Sequence, residues 1–150
     1  MPERMALGTD EVLVHATSAD TAGALFAIEI TMPPCGGPPL MHRHDPGEVY
    51  LVLDGEFTFY TQPDDQPAER RTAHAGEAVP LAGGSPHTVR NESSRPARAF
   101  VVHAPGAPME GFMRAVVEQA QHAPPTMEQV LETASRNGIT MLGPIPTITS

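Results

Sequence analysis

The sequence predicts an all-β fold of sandwich or barrel type, closed by a helical C-terminal extension. Three observations carry this. The chain holds 17 Pro and 13 Gly in 150 residues, which favours many short strands joined by turns over an all-helical fold. Roughly eight β-rich runs recur at the 8 to 12 residue spacing of sandwiches and barrels. After Pro105 the apolar residues change to helical spacing.

The elements follow in order. Val12 to His15 and Gly23 to Met32 read as strands, and the Phe26, Ile28, Ile30 side of the second should face inward. Met32 to Pro39 cannot hold a regular ladder, because Pro33, Pro34, Pro38 and Pro39 lack an amide donor and Gly36 and Gly37 loosen the backbone. It is a loop leading into a histidine-bearing extended segment. Glu48 to Leu53 and Glu56 to Thr61 flank Asp54-Gly55, a strong short-range hairpin signal. Gln62 to Glu69 is polar and Pro-containing, hence an exposed hairpin loop. Arg70 to His74, Ala78 to Leu81, His87 to Asn91 and Ala97 to His103 complete the strands. Met109 to Gln121 then repeats apolar residues at Phe112, Met113, Val116, Val117 and Ala120, a helix. A second helix starts at the capping box Thr126-x-x-Gln129 and stops at Asn137-Gly138.

This length fits one domain, divided into a β-barrel at 1–107 and an extension at 108–150 that packs on the barrel or across a dimer interface. The formal net charge is −9, from 18 acidic and 9 basic residues, so a phosphate backbone is repelled and nucleic acid is excluded as a partner. Cys35 is the single cysteine, so no internal disulfide forms. Met1 to Asp10 lacks an apolar signal region and no stretch approaches the roughly 18 apolar residues of a membrane span. A cytoplasmic protein without membrane contact is the expectation.

The chemistry concentrates in His42, His44, Glu48 and His87. Successive strand side chains point to opposite faces, so His42 and His44 share one face about 7 Å apart and reach one ion at roughly 2.0–2.2 Å. Asp45-Pro46-Gly47 breaks the extended run with a turn that brings Glu48 back beside them. Tyr50 shares the face of Glu48 and should line the same cavity. Phe57, Phe59 and Phe100 suit core packing and also an apolar pocket lining, and His103, ending a core strand, is a pocket candidate.

Gly36-x5-His42-x-His44-x3-Glu48-x6-Gly55 and Gly76-x5-Ala82-x-Gly84-x2-His87-x3-Asn91 together resemble the two motifs of the cupin superfamily, spanning 36–55 and 76–91. Ala82 stands where the second motif usually has proline. The resemblance implies a double-stranded β-helix, or jelly-roll barrel, with His42, His44, Glu48 and His87 ligating a metal, turns at Gly36, Gly55, Gly76 and Gly84, and a homodimer. The tail is similar to the helical extension of small bacterial cupins described as quercetin-dioxygenase-like. The expected cofactor is a divalent transition metal, with Fe, Mn, Ni, Co, Cu and Zn all compatible with the donor set. The expected function is a metal-dependent dioxygenase-like oxidoreductase acting on a small hydrophobic or aromatic oxygenated compound, with Glu48 as general base. A non-oxidative isomerase, lyase or cyclase, and a non-catalytic small-molecule or metal-binding module, use the same residues.

Overall fold

The computed structural model describes residues 2–148. Strands β1 (Glu3–Leu7), β2 (Asp10–Ala16), β3 (Phe26–Met32), β4 (Leu40–Arg43), β5 (Gly47–Asp54), β6 (Glu56–Thr61), β7 (Glu69–His74), β8 (Ala78–Leu81), β9 (His87–Arg90) and β10 (Ala97–Ala104) come first. Helices α1 (Ala107–His122) and α2 (Met127–Arg136) follow, then strand β11 (Thr140–Pro144). All strand pairs are antiparallel, in a six-stranded sheet of order β1-β2-β3-β10-β5-β8 and a five-stranded sheet of order β11-β4-β9-β6-β7. The two sheets enclose one core in a jelly-roll barrel.

Alternation sets that core. Phe26, Ile28, Ile30 and Met32 of β3 turn inward as their pattern predicts, and Tyr50 and Val52 of β5 meet Phe57 and Phe59 of β6 across the space between sheets. Burying a side chain of this size is worth about 1.5–3 kcal/mol, so each of these residues contributes substantially to the cohesion of the barrel. β3 begins at Phe26 rather than Gly23, because Thr21 Oγ1 accepts the Leu25 amide at 3.0 Å and closes a turn after the short 3-10 segment Ala19–Thr21.

Asp54-Gly55 is not a hairpin. β5 pairs with β10 and β8, whereas β6 pairs with β7 and β9, so this turn carries the chain from one sheet to the other. Gly55 has φ +75°, and a Cβ there would stand 2.8 Å from the Pro96 carbonyl oxygen. A left-handed corner packed against backbone requires glycine. The polar segment 62–68 does form the loop of a hairpin, between β6 and β7.

Two strands lie outside the sequence-based reading, β1 and β11, whereas the extended run at His42 is β4. Thr140–Pro144, placed by pattern in the helical extension, joins the barrel by pairing with β4. The helices before it keep their sequence signals. Thr126 Oγ1 accepts the Gln129 amide at 3.2 Å while Gln129 Oε1 accepts the Thr126 amide at 2.8 Å, the reciprocal capping box. Arg114 of α1 forks onto both carboxylate oxygens of Glu3, at 2.7 and 3.0 Å, and so ties the helix to β1.

Candidate metal centre

Two cross-strand pairs, one from each sheet, build the site. In the five-stranded sheet His42 of β4 is the direct partner of His87, the first residue of β9, with ring centroids 4.6 Å apart. In the six-stranded sheet Glu48 of β5 is the direct partner of His103 of β10, with His103 Nε2 2.6 Å from Glu48 Oε2. His44 lies just past the end of β4 and completes the group. The ring nitrogens of His42, His44 and His87 come within 4.8 Å of one another, and this cluster could hold a metal ion. Glu48 Oε1 faces them, 2.6 Å from His87 Nε2 and 3.6 Å from His44 Nε2.

Local backbone contacts fix this arrangement. Gly84 donates its amide to the His44 carbonyl at 2.8 Å, and a Cβ on Gly83 would fall 2.1 Å from the Asp45 carbonyl oxygen. The turn before His87 therefore sits directly on the turn after His44. Asn91, fully buried, donates from Nδ2 to the carbonyls of Met32 and Arg95 at 2.9 and 2.8 Å, while its backbone pairs with Cys35 and Gly36. The Pro-rich loop is thereby held against the strand that carries His87.

The tautomers follow from the acceptors. Leu40 O lies 3.3 Å from His42 Nδ1, Pro46 O 2.8 Å from His44 Nδ1 and Ser85 O 2.9 Å from His87 Nδ1. A carbonyl only accepts, so each Nδ1 carries a proton and each Nε2 turns a lone pair inward. His44 Nε2 and His87 Nε2 are buried and have no hydrogen-bond partner among the described residues. Lone pairs and a carboxylate oxygen pointed at one another repel unless a cation lies between them. The donor set thus fits a divalent metal, and a proton is its only simple substitute.

The charge states show a site that attracts positive charge. Burial, reinforced by neighbouring His87, lowers the His42 pKa to about 4, so its imidazole is neutral near pH 7. Burial works against charge on His44 as well, but the Glu48 carboxylate outweighs it and raises the pKa. Burial also opposes ionisation of Glu48, yet His103, His44 and His87 overcome it and hold the carboxyl well below its ordinary range.

A cavity of about 630 Å³ opens from this cluster. His42, Glu48, Tyr50, His87 and His103 line one side, and Ile30, Met32, Val89, Met109, Phe112, Met113 and Val116 supply most of the apolar wall. Tyr50 and His103 therefore lie where the sequence places them. Phe57 and Phe59 do not reach the cavity; they pack behind Tyr50, with centroids 6.2 and 5.2 Å from its ring. Phe100 faces the opposite way. In β10 the residues Ala97, Ala99, Val101 and His103 turn inward, which puts Phe100 on the outer face against His15, ring centroids 5.6 Å apart.

The helical roof and Asp10 are the lining groups that pattern missed. The Phe112, Met113, Val116 stripe was visible as a helix face, but nothing in its spacing separates packing on a barrel from covering its mouth. Asp10 carried no signal beyond an acidic residue before an apolar run. Cys35 is exposed, and no helix among the described residues is long and apolar enough to cross a membrane.

Comparison with known proteins agrees with the fold. No protein of curated function matches the chain. A cupin domain of an XRE family transcriptional regulator from Enterobacter cloacae aligns at 23% identity and TM-score 0.51, covering 63% of this chain and 95% of that one. The polyketide cyclase RemF from Streptomyces resistomycificus aligns at 21% identity and TM-score 0.56, covering 69% and 73%. A sugar phosphate isomerase of the cupin superfamily from Silicibacter pomeroyi aligns at 18% and 0.56, covering 69% and 71%. Residues 28–103, just over half of the chain and the span that holds all five buried histidine and glutamate side chains of the site, match the Cupin_2 family of cupin domains, and the chain belongs to that family.

Proposed function

We propose that this cupin is a metal-dependent, dioxygenase-like oxidoreductase acting on a small hydrophobic or aromatic compound that bears an oxygen group. The observation that carries the reading is the convergence of the His42, His44 and His87 ring nitrogens with the Glu48 carboxylate at the floor of a largely apolar cavity. His42, His44, Glu48 and His87 would hold the ion, with Fe, Mn, Ni, Co, Cu and Zn compatible. When bound, such an ion supplies Lewis acidity that lowers the pKa of a substrate hydroxyl and, for a redox-active metal, electron transfer.

The chain's own residues do the rest. Glu48 is ionised and within reach of the cluster, so on detaching from the ion it would accept the proton of a substrate hydroxyl as general base. His103 holds the second carboxylate oxygen and orients Glu48 for that task. The apolar wall of α1 selects a hydrophobic substrate and excludes water, which strengthens each polar contact at the floor.

A second reading, a non-oxidative cyclase or isomerase, is favoured by the Glu48–His103 pair, which moves a proton without an oxidant, and by the structural likeness to a polyketide cyclase. The test is anaerobic loading with iron, manganese, nickel or cobalt, followed by oxygen uptake and product chromatography over flavonols, enols and catechols. Oxygen consumption matched by product supports the oxygenase. Turnover without oxygen selects the second reading. Thermal stabilisation by a compound with no product under either condition would make the protein a binding module and overturn both.

A further inference from the structure

Asp10 is the ionisable group of the cavity that the proposed chemistry leaves unused. It is the first residue of β2, 7% exposed, and lines the cavity together with Leu7 and Tyr50. Its Oδ1 is buried without a hydrogen-bond partner among the described residues. The Arg90 charge favours the ionised carboxyl, but its guanidinium gives its hydrogen bonds to the carbonyls of Gly37 and Cys35. A Cβ on Gly36 would stand 2.9 Å from Asp10 Oδ1, but the Gly36 amide is spent on the Pro33 carbonyl at 2.9 Å. A carboxylate removed from water with no partner is unfavourable unless something else supplies the donor.

Its position gives that donor an address. β2 runs beside β3 with Glu11 opposite Thr31, so Asp10 lies at the Met32 end of β3, and Met32 is opposite Ala97 of β10. His103 lies six residues further along β10, opposite Phe26 at the other end of β3. At about 3.3 Å per residue the two polar groups sit toward opposite ends of the same strands. Tyr50 lines the same cavity as both.

We propose that Asp10 is a specificity-determining acceptor for a hydroxyl at the end of the ligand remote from the histidines, so that the substrate is a hydrophobic compound carrying oxygen at both ends. This rests on the cavity being the substrate site. A charge-assisted hydrogen bond made away from bulk water confers a preference of about tenfold or more for a ligand with the hydroxyl over one without it.

The test uses 4-hydroxystilbene, 4,4′-dihydroxystilbene and 4-hydroxy-4′-methoxystilbene, with the corresponding biphenyls as a shorter frame. Each is titrated by its own fluorescence into the purified protein, which contains no tryptophan. At pH 8 the wild type binds the diol of at least one frame about tenfold or more tighter than its methoxy analogue, and Asp10→Ala brings that ratio close to one. Asp10→Asn, which keeps an acceptor but no charge, falls between. The same ratio in wild type and Asp10→Ala, or no diol preference in wild type on either frame, overturns this inference alone. If none of the six compounds binds, the cavity is not a ligand site and the functional reading falls with it. Thermal melts without ligand give a second check: both variants should melt at or above wild type at pH 8, and a lower melting temperature would mean that the protein itself supplies the partner.

Discussion

His103 stands directly opposite Glu48 in the ladder between β5 and β10, with its Nε2 2.6 Å from the carboxylate oxygen turned away from the other imidazoles. It acts on the site by holding Glu48, not by joining the cluster. Replacing it with Gln should keep one metal per chain but weaken the affinity about 10–100-fold, measured by competition with a chelator. His87→Ala removes a member of the cluster and should leave the purified protein largely without metal by elemental analysis. Metal content equal to wild type in the Ala variant would place the ion elsewhere.

Metal affinity should depend on pH with a fixed sign. Glu48 stays ionised into acid, because its imidazole neighbours outweigh the opposing effect of burial. His44, whose pKa is raised, is the group at which protons compete first. Affinity should therefore fall as pH drops from 8 to 5.5, by about tenfold or more in total, in isothermal titration with buffer corrections. A flat profile would contradict the assignment of the imidazoles.

Asp10 gives the opposite dependence. Burial raises its pKa to about 6, above the ordinary 3.8, despite the opposing charge of Arg90. A raised carboxyl pKa contributes stability that is complete below pH 3.8 and is lost as pH rises through about 6. Wild type should thus lose stability relative to Asp10→Asn between pH 4 and 7, by about 1–2 kcal/mol once screening through the open cavity is allowed for. Urea denaturation of both proteins at several pH values reads the difference, and parallel profiles would show that the carboxyl is not desolvated.

Gly83→Ala should disturb stability and metal together. Its Cβ would fall 2.1 Å from the Asp45 carbonyl, a backbone atom that cannot step aside without moving the turn between His44 and Glu48. A loss of about 1–3 kcal/mol with reduced metal affinity is expected, whereas Phe57→Ala should cost about 3–5 kcal/mol while retaining metal at low temperature. Unchanged metal affinity in Gly83→Ala would separate the two turns functionally.

What the sequence made legible was local. The His42, His44, Glu48 spacing and the return of His87 reveal themselves through strand alternation and turn chemistry, and the capping box at Thr126 fixes the start of α2. What it hid depends on distant pairing. Asp54-Gly55 has the same backbone chemistry whether it closes a hairpin or turns a corner between sheets, and only the Tyr50, Phe57 and Phe59 contact across the core decides between them. The bulk of Phe100 suggests burial, yet its ring lies on the outer face of β10. Parity forbids Phe100 and His103 from sharing a face of β10, and the inward positions before His103 are occupied by Ala97, Ala99 and Val101. The edge strands β1 and β11 carry little apolar alternation of their own, since they are half-exposed and derive their order from β2 and β4.

The pairing of β11 with β4 gives the helices above the cavity an architectural constraint. The segment 107–139 leaves the barrel from the strand that bears His103 and returns beside the strand that bears His42. It is a bridge with both piers set in the walls of the site, so lifting the span as a unit would tear out an edge strand. Trimming the chain back to the barrel would therefore remove a structural member along with the ceiling, since Met109, Met113 and Met127 of this span line the cavity.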